Sequence, residues 1–430
     1  MARFEDDLYV DDEIYQSYLR KYWKGKRIDA IHFNHASITA PLHSIHQAAL
    51  KIQNERLPPD SSKRSAIIEE TRDKVAALVN LEKENVVFAN NTTDAASLVF
   101  WLVGLAKGDS VITTDAENES IPRIFKYYMD HANPGDGWVS WQNFAQYSNS
   151  RKDLIKKRRT GIKCKTVETY GVDDDRFLEN LLNEIDKSTR LVVFCHVLRE
   201  NGRIMPIMRI CQAIHEVNPR IYVLVDGAQC LGTLPEIDFR EIGCDFYVAT
   251  PHKTLCSETV GLLFFDPKHL SLCQNINDVP RDKQIIKKDQ FEPKLAIRPN
   301  SKFAVSLPEI YALSLVVDYY RKKRWVNGND FSTVNHHLRM LKQELVDGLY
   351  KFDVEIVSPV NSTFTNFICS FRFPALDNRE IVRELWNRNI FTSYIFRSNV
   401  IRTSFSITNS LKEIGKLEEA MREITKENRL

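Results

Sequence analysis

An aspartate at the end of one short apolar run and a lysine just past the next are the residues whose types and order could do chemistry together. Asp226 follows the run Tyr222 to Val225 and precedes Gly227, Ala228 and Gln229. Lys253 follows the run Asp245 to Ala249, after Thr250, Pro251 and His252, and a third run, Gly261 to Phe265, comes next. A lysine amine condenses with an aldehyde to a Schiff base. A carboxylate keeps a pyridine nitrogen protonated, so that the ring can drain electrons from a carbanion. A pyridoxal phosphate (PLP) site needs both roles, and Lys253 fits the first and Asp226 the second. Taken singly, Asp226 reads as a strand-end cap and Lys253 as a loop lysine. The pair at this spacing, with His252 beside the lysine, is what carries the reading.

The elements that must position the pair follow from the same stretch. All three runs have the length and the β-branched or aromatic content of buried strands. In an open α/β sheet, chemistry collects in the crevice outside the carboxyl ends of the strands. An acid at one strand end and a lysine at the next would point into one crevice, with Gly227 and Ala228 letting the backbone approach a flat ring.

Residues 222–265 resemble the PLP-dependent fold type I enzymes of the class V aminotransferase family, which includes cysteine desulfurases, isopenicillin N epimerase-like proteins and kynureninases. The shared pattern is V-D-G-A-Q followed by D-F-x-x-x-x-x-H-K, here Val225 to Gln229 and Asp245 to Lys253. The continuation His252-Lys253-Thr254-Leu255-Cys256 is most similar to the epimerase-like branch. The resemblance implies an α/β protein of PLP fold type I, with a large, mostly parallel seven-stranded sheet domain and a smaller C-terminal α+β domain. The expected divisions are an N-terminal helical arm over 1–30, the PLP-binding domain over 31–290 and the small domain over 291–430. It also implies a homodimer with sites at the subunit interface.

Further site residues are carried over from the resemblance, position by position. The strand Asn85 to Ala89 runs into Asn90-Asn91-Thr92-Thr93 and a helix. Orphan N–H groups and the helix dipole make such a junction an anion site, and the resemblance implies that Asn91, Thr92 and Thr93 hold the cofactor phosphate. Gln229 is implied at the phenolic oxygen, and Thr250 and His252 at the phosphate. After the strand Ser110 to Thr114, relatives place an aromatic residue or histidine over the pyridine ring, whereas this chain has Asn118, with Glu119 or His196 as alternatives for part of that role. The segment His196 to Pro206 resembles H-V-x-x-x-T-G-x-x-x-P, with Arg199 where Asn or Ser is usual. Its guanidinium would pair with the phenolate, with a substrate carboxylate, or with Glu200 or Glu216. Phe33-Asn34-His35-Ala36-Ser37 resembles the signature that borders the substrate pocket, making His35 and Ser37 candidates. Arg402 matches the arginine that grips the substrate carboxylate in two-pronged fashion, ahead of Arg397. Phe303-Ala304 stands where relatives carry a Gly-Thr pair that reaches the other subunit's phosphate.

Composition bounds the rest. Lys+Arg 59 against Asp+Glu 57 gives a net charge of +2, so no global field argues for nucleic acid or a membrane surface. The eight cysteines form no CxxC pair, so neither a zinc site nor a disulfide framework is expected, and no metal is called for. The acidic start lacks a signal peptide's apolar stretch, and no run approaches the roughly 18 apolar residues of a membrane span. A cytoplasmic enzyme is the expectation. Eight of the residues from Arg151 to Lys165 are Lys or Arg, and residues 131–158 form an insertion that reads as a solvated face or a lid. The function expected is a PLP-dependent enzyme acting on a free α-amino acid or a conjugate, through an external aldimine and quinonoid. A lyase, epimerase or aminotransferase outcome is left open. The alternative is a PLP-fold protein that binds or regulates without turnover. Cysteine desulfurase is disfavoured, because residues 374–402 contain no cysteine and Cys369 sits in a strand-like run.

Overall fold

Short β-branched and aromatic runs bounded by turn residues become the strands of the protein. The computed structural model describes residues 30–39, 41–58, 61–131, 161–270, 306–360 and 366–427. The arm expected over 1–30 and the insertion expected over 131–158 lie, but for residues 30 and 131, outside the described residues, as does Phe303-Ala304. The chain forms two compact units. One takes Pro41–Val197 and Met205–Phe331, and the other takes Met1–Ala40, Leu198–Ile204 and Ser332–Leu430. The sequence-based division near 290 falls among undescribed residues, and the helix Leu307–Lys322 belongs with the sheet unit.

Strand β1 (Ile31–His32) belongs to the second unit. The sheet unit holds β2 (Val86–Ala89), β3 (Ser110–Thr114), β4 (Lys163–Val167), β5 (Thr189–Cys195), β6 (Tyr222–Asp226), β7 (Phe246–Ala249) and β8 (Gly261–Phe265). They form the seven-stranded sheet in the order β2-β8-β7-β6-β5-β3-β4. Every neighbouring pair is parallel except those of β8, which runs antiparallel to both β7 and β2. From β5 the order runs through β6 and β7 on one side and through β3 and β4 on the other. The loops after β3 and β5 therefore diverge at a switch point, where such sheets leave a crevice.

Helices cover this sheet, so its central strands are apolar throughout rather than alternating. Every residue of β2, β3, β7 and β8 is buried. The helix Thr92–Val103 joins Val111, Leu191, Val193, Leu224, Phe246, Val248 and Leu263 in one core through Leu98, Val99, Phe100 and Leu102. It stops at Gly104, whose φ of 62° supplies the left-handed C-terminal turn that a side chain disfavours. Helices His43–Asn54 and Ser62–Ala77 pack against Leu307–Lys322.

The second unit is α+β. Strands β9 (Glu355–Ile356), β10 (Ile368–Arg372), β12 (Ser393–Ile395) and β13 (Val400–Ser404) form an antiparallel sheet in the order β12-β13-β10-β9, while β1 pairs in parallel with β11 (Ile390–Phe391). A single strand is expected over 391–396; Thr392 divides it into β11 and β12, which join different sheets. Helices Ser332–Leu349, Asn378–Asn387 and Leu411–Glu427 complete the unit. Among the described residues, no helix is long and apolar enough to cross a membrane.

Candidate functional site

The sheet unit presents its polar residues where β2, β3, β5, β6 and β7 end. Asp226 is the last residue of β6 and only 7% exposed. It is paired in register with Cys195 of β5 and Val248 of β7, and its Oδ1 accepts the backbone N–H of Ala228 at 2.9 Å. Gly227 N–H donates to the Val248 carbonyl at 2.7 Å. A Cβ at Gly227 would lie 2.1 Å from the buried Tyr247 ring, so only glycine lets the turn close over β7. The Tyr247 hydroxyl meets His196 Nδ1 at 2.9 Å, and the His196 N–H donates to the Asp226 carbonyl at 2.9 Å. Burial lowers the His196 pKa to about 3, so the ring stands neutral against Tyr247, while it is the backbone N–H of His196 that holds the aspartate turn. Gln229 is buried, and its carbonyl accepts the Thr233 hydroxyl at 2.7 Å.

β7 delivers the lysine. Thr250 precedes the short 3₁₀ turn Pro251–Lys253, with proline at its start, where no N–H is needed. The Thr250 hydroxyl donates to the Val260 carbonyl at 2.7 Å, leaving its oxygen to accept from His252 Nδ1 at 2.5 Å. Burial first, and then the neighbouring Lys253, lower the His252 pKa to about 3. Lys253 is half-buried at the end of this turn.

The third contribution is the N-terminus of the helix Thr92–Val103. Asn91 caps it, its Oδ1 accepting the Asp94 N–H at 2.9 Å, while Asp94 Oδ2 accepts from the Asn90 backbone and side chain. The Thr92 hydroxyl is enclosed with no hydrogen-bond partner among the described residues. A Cβ at Gly261 would lie 2.2 Å from the Asn91 carbonyl oxygen, so the start of β8 is bare to admit this loop. An enclosed, unpartnered hydroxyl on a dipolar helix start is a seat for an anion, and the cofactor's phosphate fits it.

Asn118 sits after β3, but its side chain has a local task. Its Oδ1 accepts the N–H and hydroxyl of Ser120, each at 3.0 Å, at the start of the helix Ser120–His131. The residue before it, Glu117, carries no motif of its own in the sequence. It is 5% exposed, and its Oε1 meets the Thr114 hydroxyl at 2.9 Å while its Oε2 meets Cys195 Sγ at 3.3 Å. Acceptor atoms of Glu117, Cys195 and Asp226 lie within 4.8 Å of one another. Burial, and secondarily Asp226, raise the Glu117 pKa to about 8. The only sequence signal for it was its place beside Asn118.

In the second unit, Arg402 projects from β13 and is 4% exposed. One guanidinium nitrogen donates to the Arg199 carbonyl at 3.0 Å, and the other to Ser37 Oγ at 2.7 Å and Asn34 Oδ1 at 3.3 Å. Ser37 in turn donates to Asn34 at 2.8 Å. Arg402, Ser37 and position 199 thus come together, although it is the backbone of Arg199 that meets Arg402. Asn34 was quoted only within a motif and joins them. His35 is buried beside His32, ring centroids 4.5 Å apart, and burial, then His32, hold its pKa well below the usual imidazole range. Arg397 is exposed.

Comparison with known proteins gives a consistent picture. The family model described as Aminotransferase class-V matches residues 56–123 and 147–417. A cysteine desulfurase of Haloferax volcanii is 28% identical over 311 residues, 70% of this chain and 63% of its own. A probable cysteine desulfurase of Chlamydia trachomatis is 24% identical over 83% of this chain and 82% of its own. Several of these curated relatives are matched over less than two thirds of their length. Among solved structures, a lysine-to-alanine variant of C-DES with glycine covalently linked to its PLP cofactor superposes with a TM-score of 0.70 at 20% identity, covering 91% of this chain and 96% of that one. These relatives overturn the expectation that cysteine desulfurase is disfavoured. That expectation rested on one absent thiol between 374 and 402, whereas the similarity to named desulfurases extends over most of the chain.

Proposed function

This chain belongs to the class-V aminotransferase family, and on that footing we propose that it is a PLP-dependent enzyme that removes sulfur from cysteine or a close derivative of cysteine. PLP is its cofactor and an amino acid is its class of substrate. The observation that carries the sulfur chemistry is the extended similarity to relatives named cysteine desulfurase.

When bound, PLP supplies an aldehyde for amine condensation and a ring that accepts the electron pair released at the substrate's Cα. In this reading Lys253 Nζ holds the cofactor and moves the proton at Cα. Asp226 would set one negative charge opposite the pyridine nitrogen, in a turn fixed by the backbone N–H groups of Ala228 and His196. Asn91, Thr92 and Thr93 hold the phosphate with backbone and hydroxyl donors, beside Thr250 and His252. Gln229 serves the phenolic oxygen. Asn118 borders the ring with its nitrogen, since its oxygen is engaged by Ser120.

Arg402 takes the substrate carboxylate, oriented by Ser37, Asn34 and the Arg199 carbonyl. Neutral His35 lines the same pocket. Holding the carboxylate would orient the substrate's Cα, and positioning of this kind lowers the entropic cost of reaction. The same proposal has the enzyme act as a homodimer in the cytoplasm. The seven described cysteines are free thiols, in keeping with a reducing compartment.

The test is to load the purified protein with PLP and supply L-cysteine, or cystine, with a thiol reductant, following sulfide together with alanine and pyruvate. Sulfide release that disappears in Lys253→Ala supports the reading. Protein that binds PLP yet yields neither sulfide nor persulfide from either substrate overturns it.

A further inference from the structure

Glu117 is a buried acid that the proposed chemistry leaves unused. Three adjacent strands bring their carboxyl ends together here: β3 leads to Glu117, β5 ends at Cys195 and β6 at Asp226. The acceptor atoms of the three side chains lie within 4.8 Å of one another, and all three residues are buried. Glu117 is held from both sides, by the Thr114 hydroxyl at 2.9 Å and the Cys195 thiol at 3.3 Å. The Thr114 oxygen also accepts the Ala116 N–H at 3.3 Å, and the Cys195 thiol approaches the Ala116 carbonyl at 3.8 Å. The turn that carries Glu117 is therefore tied to the strand end that carries Asp226's neighbour.

Two carboxylates this close, out of water, repel strongly, and such pairs keep one proton between them. Cys230 and Tyr247 also bear on Asp226, and burial raises the pKa of both, so they stand neutral.

We propose that Glu117 is a positioning residue: it keeps a proton at neutral pH and backs Asp226 as an uncharged hydrogen-bonding prop. Asp226 is thereby left as the single carboxylate opposite the cofactor's pyridine nitrogen. One negative charge then meets one positive charge, rather than two anions competing for one cation. This rests on the reading that Asp226 faces that nitrogen. The pKa of Glu117, raised to about 8, agrees with the geometry.

Infrared difference spectroscopy and cofactor titration of the full chain test it. Cofactor-free wild-type protein at neutral pH is expected to show a protonated-carboxyl stretching band that fades above about pH 8 and is missing from Glu117→Gln. Glu117→Gln, a neutral near-isostere, is expected to bind PLP within about threefold of wild type and to keep its visible absorbance maximum. Glu117→Ala, which removes the prop, is expected to weaken binding about tenfold, with folding checked by circular dichroism. Absence of the band, its survival in Glu117→Gln, or Gln proving as damaging as Ala would each overturn the proposal. If wild-type protein takes up no PLP at all, the reading of Asp226 fails instead, and the infrared comparison still decides the proton on Glu117.

Discussion

Replacing Gly261 with alanine tests whether the proposed phosphate seat depends on bare backbone. The new Cβ would lie 2.2 Å from the Asn91 carbonyl oxygen, 2.4 Å from its carbon and 2.8 Å from its Cα, all backbone atoms. Ordinary contact begins near 3.4 Å, so the loop or β8 must retreat by more than an ångström. Neither retreats freely. Gly261 is in register with Ala89 of β2, and Asn91 caps the helix Thr92–Val103. Overpacking of a tight site costs about 1–3 kcal/mol, and a rigid backbone neighbour puts this case at the upper end. Loss of a ladder or capping hydrogen bond adds about 1 kcal/mol. The expected loss is about 3–4 kcal/mol in unfolding free energy of the cofactor-free protein by urea titration. In the fraction that folds, the displaced cap is expected to weaken PLP binding more than tenfold in an absorbance titration. A Gly261→Ala protein with wild-type urea midpoint and wild-type PLP affinity would refute the argument. It would show that β8 and the Asn91 loop do not meet as described.

Lys253→Ala is expected to lose the visible absorbance of bound cofactor and the borohydride-trapped adduct, while circular dichroism stays unchanged; an adduct on another lysine would refute the assignment. Arg402→Lys keeps the charge but not the planar fork, and is expected to raise KM for cysteine about thirtyfold, roughly 2 kcal/mol, with a smaller change in kcat. A change confined to kcat would remove Arg402 from substrate binding. The raised pKa of Glu117 means that the folded protein keeps a proton which the unfolded chain releases above about 4.5. Its contribution to stability is therefore full below about pH 4.5 and is lost as pH climbs to about 8. Over that window, wild type is expected to lose stability relative to Glu117→Gln by up to about 1.4 kcal/mol per pH unit, measured by urea titration.

Much of the sheet is legible in the chain because local cues coincide. Ser110–Thr114, Lys163–Val167 and Gly261–Phe265 are strands at the bounds that their β-branched or apolar runs and flanking turn residues indicate. β5 begins earlier than its apolar run, at Thr189 and Arg190, since pairing with β3 extends it past the point where side-chain pattern alone would stop it. The lysine and aspartate are legible for a similar reason, as each sits in a short motif next to its own strand. Glu117 is not, because what makes it unusual is supplied by Cys195 and Asp226 from other strands. Asn118 is half-legible: its position follows from the motif, but the commitment of its oxygen to Ser120 depends on where the next helix starts. The reading against cysteine desulfurase rests on one missing thiol, a local feature, whereas the similarity to named desulfurases runs over most of the chain.

The nest around the Arg402 guanidinium has a consequence for biogenesis. Its walls are Asn34 and Ser37, the carbonyl of Arg199, and β13 itself, while β1 finds its partner only in β11. On a ribosome the first of these segments emerges long before the last, so it must wait, unpaired, through most of translation. The proposed anchor for the substrate's carboxylate is thus among the last features of the molecule that can form, and a nascent chain halted short of residue 402 lacks it.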